Sequence, residues 1–399
     1  MSDLSILVCQ QWGIVKQPSV KPATLFDHCL VFPLLAGPVG ILYNGLDQTP
    51  ALQHPNGKES TMKALLIGGT GTISLPITRK LLKEGWQVTL LNRGSRNDLV
   101  PGAECIACNA RDEKAVEEKL AKRHFDVVAQ FIAFHPEEIA RDIRLFTGRT
   151  GQYIFISSAS AYIKPTRNPV ITEASPLSNP YWQYSRDKIA CEQRLTAARD
   201  QSNFPMTIVR PSHTYGSGTL PLSVHGHKGV WQIIDRVLKR KPVLIPGDGT
   251  SLWTVTWSGD FADAFLGLMG NDHAIGEAVH ITSDEALTWN QIHRLLAEAL
   301  DRPFIPCHVP SDLLAQARDY DFTGSMLGDK ANCAIFDNSK IKRLVPGFTA
   351  KTRFDQGLRL SLEYLMNTPE KQIPDPDFDR FSDQVADILR SAEEQIAGL

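Results

Sequence analysis

One stretch constrains the fold more than any other: Met62 to Arg93, MKALLIGGTGTISLPITRKLLKEGWQVTLLNR. Ala64-Leu65-Leu66-Ile67 is a short apolar run that stops at glycine, the pattern of a strand buried on both faces of a parallel sheet. The turn Gly68-Gly69-Thr70-Gly71-Thr72-Ile73-Ser74 follows, after which Ile73, Ile77 and Leu81 recur at helical spacing. Gly85 supplies a stop, and Trp86 to Leu91 reads as a second strand. Strand, glycine turn, helix and strand in this order predict a βαβ unit with a parallel sheet.

Backbone chemistry says what such a turn can do. Glycines let a ligand approach the main chain, and the free N–H groups at a helix start attract a pyrophosphate. Gly69-x-Gly71-x-x-Ser74 fits the dinucleotide fingerprint, with Ser in place of the third glycine that normally permits close helix–strand packing. The same glycines also occur in purely structural turns; the flanking elements favour a dinucleotide, held by Gly68, Gly69, Gly71, Thr72 and Ile73. The second strand ends in Asn92-Arg93, and no acidic residue follows until Asp98. An acid there serves the ribose hydroxyls of NAD, whereas an Arg accommodates a 2′-phosphate, so NADP is favoured over NAD. The alternative is that Arg93 is a solvated loop residue.

The chain has 399 residues, enough for two domains or one elaborated one, and a formal net charge of −2. That charge exerts no global pull towards nucleic acid or membrane. Cysteines 9, 29, 105, 108, 191, 307 and 333 are scattered and odd in number, which argues against a secreted disulfide framework. Cys105 and Cys108 form a CxxC without a second pair or a nearby His, and packing is the favoured role. A cytoplasmic enzyme acting on a small molecule, with no nucleic-acid or membrane partner, is the expectation.

Residues 1–61 differ from the rest. Their one apolar run, Leu30 to Tyr43, is broken by Pro33, Gly37, Pro38 and Gly40, too short for a membrane span and too far in for a secretory signal. A weakly ordered extension is expected there, with the dinucleotide-binding domain starting at Met62. Further alternations follow: a strand at Glu104–Cys108, a helix at Asp112–Lys122, a strand from Phe125 to Ala133, a helix at Pro136–Thr147 and a strand from Gln152 to Ser158. Repeated βα units predict an α/β fold with a doubly wound parallel sheet, Rossmann-like, whose ligand crevice lies at the strands' carboxyl ends. Ser157 and Ser158 stand at one such end.

Tyr184-Ser185-Arg186-Asp187-Lys188 lies on a predicted helix, Gln183 to Arg199, and its spacing puts the phenol and ammonium on one face, a turn apart. A cation beside Tyr stabilises phenolate and lowers its pKa, so that the phenol exchanges protons near neutral pH. An exposed helix pair is the bland alternative, and the position one helix beyond a Ser-ended strand favours catalysis.

Taken together, the glycine turn, FISSASAY (Phe155–Tyr162), the YxxxK, VRPSHTYGSG (Val209–Gly218) and IPGDGTSLWTVTWSGDFADAF (Ile245–Phe265) resemble the extended short-chain dehydrogenase/reductases of the NAD-dependent epimerase/dehydratase group, over about Met62 to Met366. The resemblance implies that Ser158 holds the substrate oxygen, Tyr184 is the acid/base, and Lys188 binds the nicotinamide ribose and tunes Tyr184. It places Asn109 beside the adenine, Ala133 and Phe134 along the cofactor, and Pro211 and Ser212 by the carboxamide. It also implies a homodimer formed through two helices flanking the sheet. A dinucleotide-binding domain of 62–212 with a return segment 252–282 is expected, with a smaller mixed α/β substrate domain from 213–251 and 283–366, and a tail, 367–399, ending in a polar helix.

Departures bear on the substrate. His213 stands where sugar-nucleotide members often have Asn, and Trp253 lies near where many place an Arg for the pyrophosphate. Trp253 and Trp257 offer a stacking surface or pack the domain junction. Ala159-Ser160 occupies the positions where dehydratases often have Asp-Glu, which argues against that branch. Candidate substrate contacts are Ser158, Ser160, His213 and Trp253. His225 and His227 lack companion carboxylates, so no metal is expected. Towards the end, Trp289–Leu300 reads as an amphipathic helix, Pro303–Val309 as extended, the stretch up to Gly328-Asp329-Lys330 as loop-rich, and FDNSKIKRLVPGF as a lysine-rich helix before a strand. Lys340, Lys342 and Arg343 contact an anionic substrate or form a solvated face.

The leading reading is an NAD(P)-dependent epimerase or oxidoreductase acting on a secondary alcohol or ketone of a sugar-like molecule. An NADPH-dependent reductase of a non-sugar ketone is a second reading. A third is an RNA-binding module, since the turn and Asn92-Arg93-Gly94 also resemble chloroplast stem-loop RNA-binding proteins of the same fold. Short basic clusters and a slightly negative net charge disfavour that one.

Overall fold

β1 (Lys63–Ile67) is apolar after its first residue because it lies mid-sheet, with Ala64, Leu65 and Leu66 fully buried. The computed structural model describes residues 61–399, so the expectations for 1–61 lie outside the described residues. After β1 the chain turns through Gly68 and Gly69, at φ of 111° and 86°, values that a side chain rarely tolerates. α1 (Ser74–Lys83) sets Ile77, Thr78 and Leu81 against the sheet, and β2 (Gln87–Asn92) returns parallel to β1. β3 (Glu104–Ala107), α2 (Glu113–Leu120), β4 (Phe125–Gln130), α3 (Pro136–Phe146) and β5 (Thr150–Ile156) continue the alternation. Asp112 starts α2 by accepting from the Ala115 N–H.

The strands Met206–Pro211 and Ala278–Ile281 complete a seven-stranded sheet, ordered Ala278–Ile281, Met206–Pro211, β5, β4, β1, β2, β3. All its pairings are parallel. Strand order reverses between β1 and β4, which opens a crevice at their carboxyl ends. Ile77, Leu81, Phe261 and Phe265 pack one face, and Ile139, Phe146, Leu195 and Phe204 the other. Each such side chain contributes about 1.5–3 kcal/mol by leaving water.

β4 ends three residues before the predicted Ala133. The Gln130 side chain accepts from the Ile132 N–H at 2.9 Å and donates to buried Asp142 at 2.6 Å, which turns the chain out of the ladder. β5 likewise stops at Ile156, leaving Ser157 and Ser158 just beyond it. α4 (Gln183–Ser202) outruns its predicted end and closes on Asn203 in the left-handed region, φ 53°.

A separate apolar cluster joins Ile233, Ile234, Ile245, Trp253, Trp289, Leu296, Phe354 and Phe378. Here the helix Trp289–Ala299, with a Thr288/Gln291 capping box, and the strand Pro306–Val309 fall where periodicity places them. Two expectations fail. The stretch read as loop ends in a π-helix, Thr323–Lys330, whose Gly324 and Gly328 allow close approach to Trp182: a side chain at Gly324 would collide with the indole, and one at Gly328 would come within 3.0 Å of the Trp182 Cβ. The strand expected after the helix Ser339–Leu344 is absent among the described residues, and the chain runs on to the helix Phe354–Met366. Lys340 and Lys342 pair with Glu277 at 2.5 Å and Asp284 at 2.8 Å, and Arg343 is exposed, so this helix face serves local ion pairs.

The tail helix, Pro376–Ala397, packs back through Phe378 and Ser382. Its Asp379 and Asp383 hold the buried Arg236 guanidinium at 2.6 and 2.9 Å, and Lys241 bridges both carboxylates at 2.8 Å. Changing both acids to asparagine leaves Arg236 short of counter-charge. We expect a loss of about 1–3 kcal/mol and faster amide exchange across 376–397, read by hydrogen-exchange mass spectrometry.

Candidate active site

The turn after β1 borders a cavity of ≈ 660 Å³ at the carboxyl end of the sheet. Eight of the residues predicted to lie along a cofactor line it: Gly68, Gly71, Thr72, Ile73, Asn92, Arg93, Asn109 and Phe134. Gly69 serves packing instead, since a Cβ there would meet Leu90 at 2.6 Å. Ser74 replaces the third glycine without strain. It is buried, its hydroxyl accepts from the Gly71 N–H at 2.9 Å, and Thr78 Oγ1 donates to the carbonyls of both Gly69 and Ser74.

α1 begins with no side-chain cap, which leaves its positive dipole end to an outside anion. Arg93 and Arg96 sit exposed on the cavity rim without an ion-pair partner among the described residues, while Arg111 pairs with Glu138 at 2.8 Å. A glycine cradle, an uncapped helix start and a cationic rim fit a dinucleotide diphosphate. Arg96 and Arg111 carry no motif, and sequence reasoning missed them.

A second cavity, ≈ 290 Å³, is lined by Ser158, Ser160, Tyr184, Pro211, Ser212, His213 and Trp253. The four candidate substrate residues therefore share one wall system with Tyr184. Ser158 Oγ and Ser160 Oγ are 2.8 Å apart, and Ser185 Oγ donates to Ser160 Oγ at 2.8 Å, so a hydroxyl chain fixes the serine end of β5. The Tyr184 ring is held between Trp182, centroids 5.0 Å apart, and Phe134 at 6.2 Å. Lys188 is buried one turn away and donates to the carbonyls of Ala133 and Ile156, both at 2.8 Å. Two of its three N–H donors are thus used and one remains.

The electrostatics correct one expectation. Burial raises the Tyr184 phenol above its usual range, Ser158 draws it part of the way back, and Asp329 raises it further. Burial sets the direction of the shift; the Lys188 Nζ lies 5.8 Å from the Tyr184 ring centroid, and burial among Phe134 and Phe155 pulls its own pKa down to about 8. The phenol is therefore a proton donor at neutral pH in this state. His213 is held neutral, pulled to about 3 by burial and by Lys330, and packs edge-on against Trp253.

Trp253 is buried against Trp289 at 5.3 Å, and Trp257 packs on Tyr215, so of Trp253 and Trp257 the former alone meets the cavity. Among the described residues His227 meets no carboxylate; its Nε2 contacts the Asp319 carbonyl at 2.8 Å, and its ring stacks on Tyr320. Among the described residues no cluster of His, Cys, Asp and Glu has the makings of a metal site. Cys105 and Cys108 are free thiols, raised in pKa by burial, in keeping with packing. The cavity has three walls that motif reasoning did not supply: Lys164, Asp329 and Lys330. The π-helix that presents the last two has no periodic signature, and Lys164 lies outside the YxxxK and serine signals.

A model of the NAD-dependent epimerase/dehydratase family matches residues 64–281. The chain is 27% identical to the 2′-dehydrokanamycin reductase of Streptomyces kanamyceticus, over 73% of this chain and 81% of that protein. It is 28% identical to the chloroplast stem-loop binding protein of 41 kDa b of Arabidopsis thaliana, over 60% of this chain and 64% of that one. Among solved structures, the UDP-glucose 4-epimerase of Thermotoga maritima, crystallised with UDP-glucose, superposes with a TM-score of 0.62 at 21% identity, over 77% of this chain and all (100%) of its own. No helix among the described residues is long and apolar enough to cross a membrane.

Proposed function

Because the chain belongs to the NAD-dependent epimerase/dehydratase family, we propose that it interconverts a secondary alcohol and a ketone on a sugar-like small molecule, with Tyr184 handling the proton. The observation that carries this reading is the second cavity, where Ser158 and Tyr184 share a wall beside the dinucleotide-sized first cavity. A bound nicotinamide supplies the hydride chemistry. The chain's own residues do the rest. Ser158, held by Ser160, which in turn accepts from Ser185, offers a hydroxyl to the substrate oxygen. Tyr184, protonated in this state, gives its proton to that oxygen in the reductive direction and recovers it in the oxidative one. Lys188 braces Ala133 and Ile156 through two N–H donors and keeps a third.

Reduction and epimerisation differ in whether the nucleotide leaves after each turnover. Identifying the nucleotide that co-purifies, then screening its absorbance change against ketones and free or nucleotide-linked sugars, separates them. Tightly retained nucleotide supports an epimerase, and stoichiometric consumption of added NADPH supports a reductase. Absorbance changes with none of these compounds would overturn the reading.

NADP is the cofactor we favour, on the cationic rim of Arg93 and Arg96 and the lack of an acid at the end of β2. Arg93→Asp is expected to weaken NADP binding roughly tenfold or more while NAD binding holds or improves. Nucleotide fluorescence titration of both cofactors checks it, and an unchanged NADP/NAD ratio would assign Arg93 to the solvated loop.

A further inference from the structure

We infer that Lys164 and Lys330 form a subsite for an anionic group, a carboxylate or a phosphate, carried by the substrate. The inference rests on the proposed function, which assigns the second cavity to substrate. Both lysines line that cavity together with Ser158 and Tyr184. Lys164 is 3% exposed and Lys330 7%, far below what a surface lysine shows. Neither ammonium has a hydrogen-bond or ion-pair partner among the described residues.

Their placement is built. The Lys330 carbonyl accepts two indole N–H groups, from Trp253 at 3.2 Å and Trp289 at 2.9 Å. Two residues earlier, the Gly328 carbonyl accepts from Asn179 Nδ2 at 2.7 Å, and the same amide donates to the Ser160 carbonyl at 2.8 Å. The π-helix is thereby tied to the serine end of β5. The Lys164 N–H donates to Ser178 O at 2.9 Å, which fixes the opposite wall. π-Helical turns concentrate at functional sites, and this one ends on the lysine.

Charge then selects the ligand. A buried ammonium is costly unless it is paired. Burial lowers the pKa of both lysines, and Asp329 is the carboxylate that opposes this at each. His213 and His225 are both held neutral, mainly by burial, and add no charge. Two lysines share one carboxylate, so an ammonium in this desolvated cavity is left without a counter-charge of its own. A substrate bringing one negative charge balances it, a neutral sugar leaves it unbalanced, and a cationic one is repelled.

The test uses the full-length chain saturated with NADP, so that the first cavity cannot take up the probe. D-glucuronate, inorganic phosphate and D-glucose are titrated against tryptophan fluorescence, which Trp182 and Trp253 on the cavity wall report. Wild-type protein is expected to bind at least one anion and to prefer it to D-glucose. Which of the two anions binds distinguishes a carboxylate from a phosphate source. Lys164→Met and Lys330→Met each weaken the anion by roughly 30-fold, Lys330→Arg restores most of the loss, and D-glucose and NADP affinities stay unchanged. Retained NADP affinity certifies that each variant is folded. Equal binding of anion and D-glucose, anion binding that survives both methionine changes, or no anion binding at all would overturn the subsite while leaving the redox reading standing. Failure of the chain to bind NADP or NAD would instead strike the proposed function.

Discussion

Tyr184→Phe is expected to lower kcat by about 10²–10⁴-fold while the dinucleotide stays bound, because the change removes one hydroxyl and little else. The ring keeps its contacts with Trp182 and Phe134, and the Lys188 ammonium is anchored on the Ala133 and Ile156 carbonyls, independently of the phenol. Steady-state rates beside a nucleotide titration separate the two effects. A near-normal rate would remove Tyr184 as the acid/base, and a lost nucleotide would make it a binding residue. The wild-type pH profile adds a second readout. Lys188, depressed to about 8, is charged below that value and neutral above it, whereas the Tyr184 phenol, raised, keeps its proton. With two donors spent on the Ala133 and Ile156 carbonyls, only the ammonium keeps a third N–H, so the reduction rate is expected to hold below about pH 8 and fall above it. An alkaline limb that persists unchanged well beyond that would detach Lys188 from the chemistry.

What could be learned from the residues alone followed the periodic elements and the spaced motifs. Ala64 to Ile67 and the recurring Ile77 and Leu81 announce a strand and a helix because burial on a regular backbone forces a regular pattern. Ser158, Tyr184 and Lys188 are recognisable because a strand end and a helical turn set their spacing. The direction of the Tyr184 shift was not legible: it depends on how far Lys188 is drawn towards two carbonyls and how deeply the phenol is buried, both of which are tertiary facts. Lys164 and Lys330 were invisible as a pair for the same reason. They lie far apart in sequence and meet only because Asn179 and two indoles fasten a π-helix over the serine strand end. Trp253, in turn, was read as either a stacking surface or a packing residue, and the structure gives it both edges of that choice.

Beneath the site, Glu192→Ala is expected to cost about 3–5 kcal/mol, the largest stability effect we anticipate from a single change. Glu192 and Arg210 have side chains 3% and 6% exposed, and they meet in a bidentate pair with Nη2–Oε2 at 2.6 Å and Nε–Oε1 at 3.0 Å. Ser157 Oγ donates to the same carboxylate at 2.5 Å, and Arg210 Nη1 donates to the Tyr162 hydroxyl at 3.1 Å. Removing Glu192 strands a guanidinium in the interior and orphans the serine, and denaturant unfolding should show a lowered midpoint. Replacing both partners, as Glu192→Leu with Arg210→Met, removes the stranded charge and should recover most of the stability. Turnover should not recover with it. Ser157 adjoins Ser158, so a restored fold with a displaced β5 end predicts a stable protein of reduced kcat. Full activity in the stable double variant would show that the buried pair supports the fold alone and leaves the alignment of Ser158 to its hydroxyl neighbours, Ser160 and Ser185.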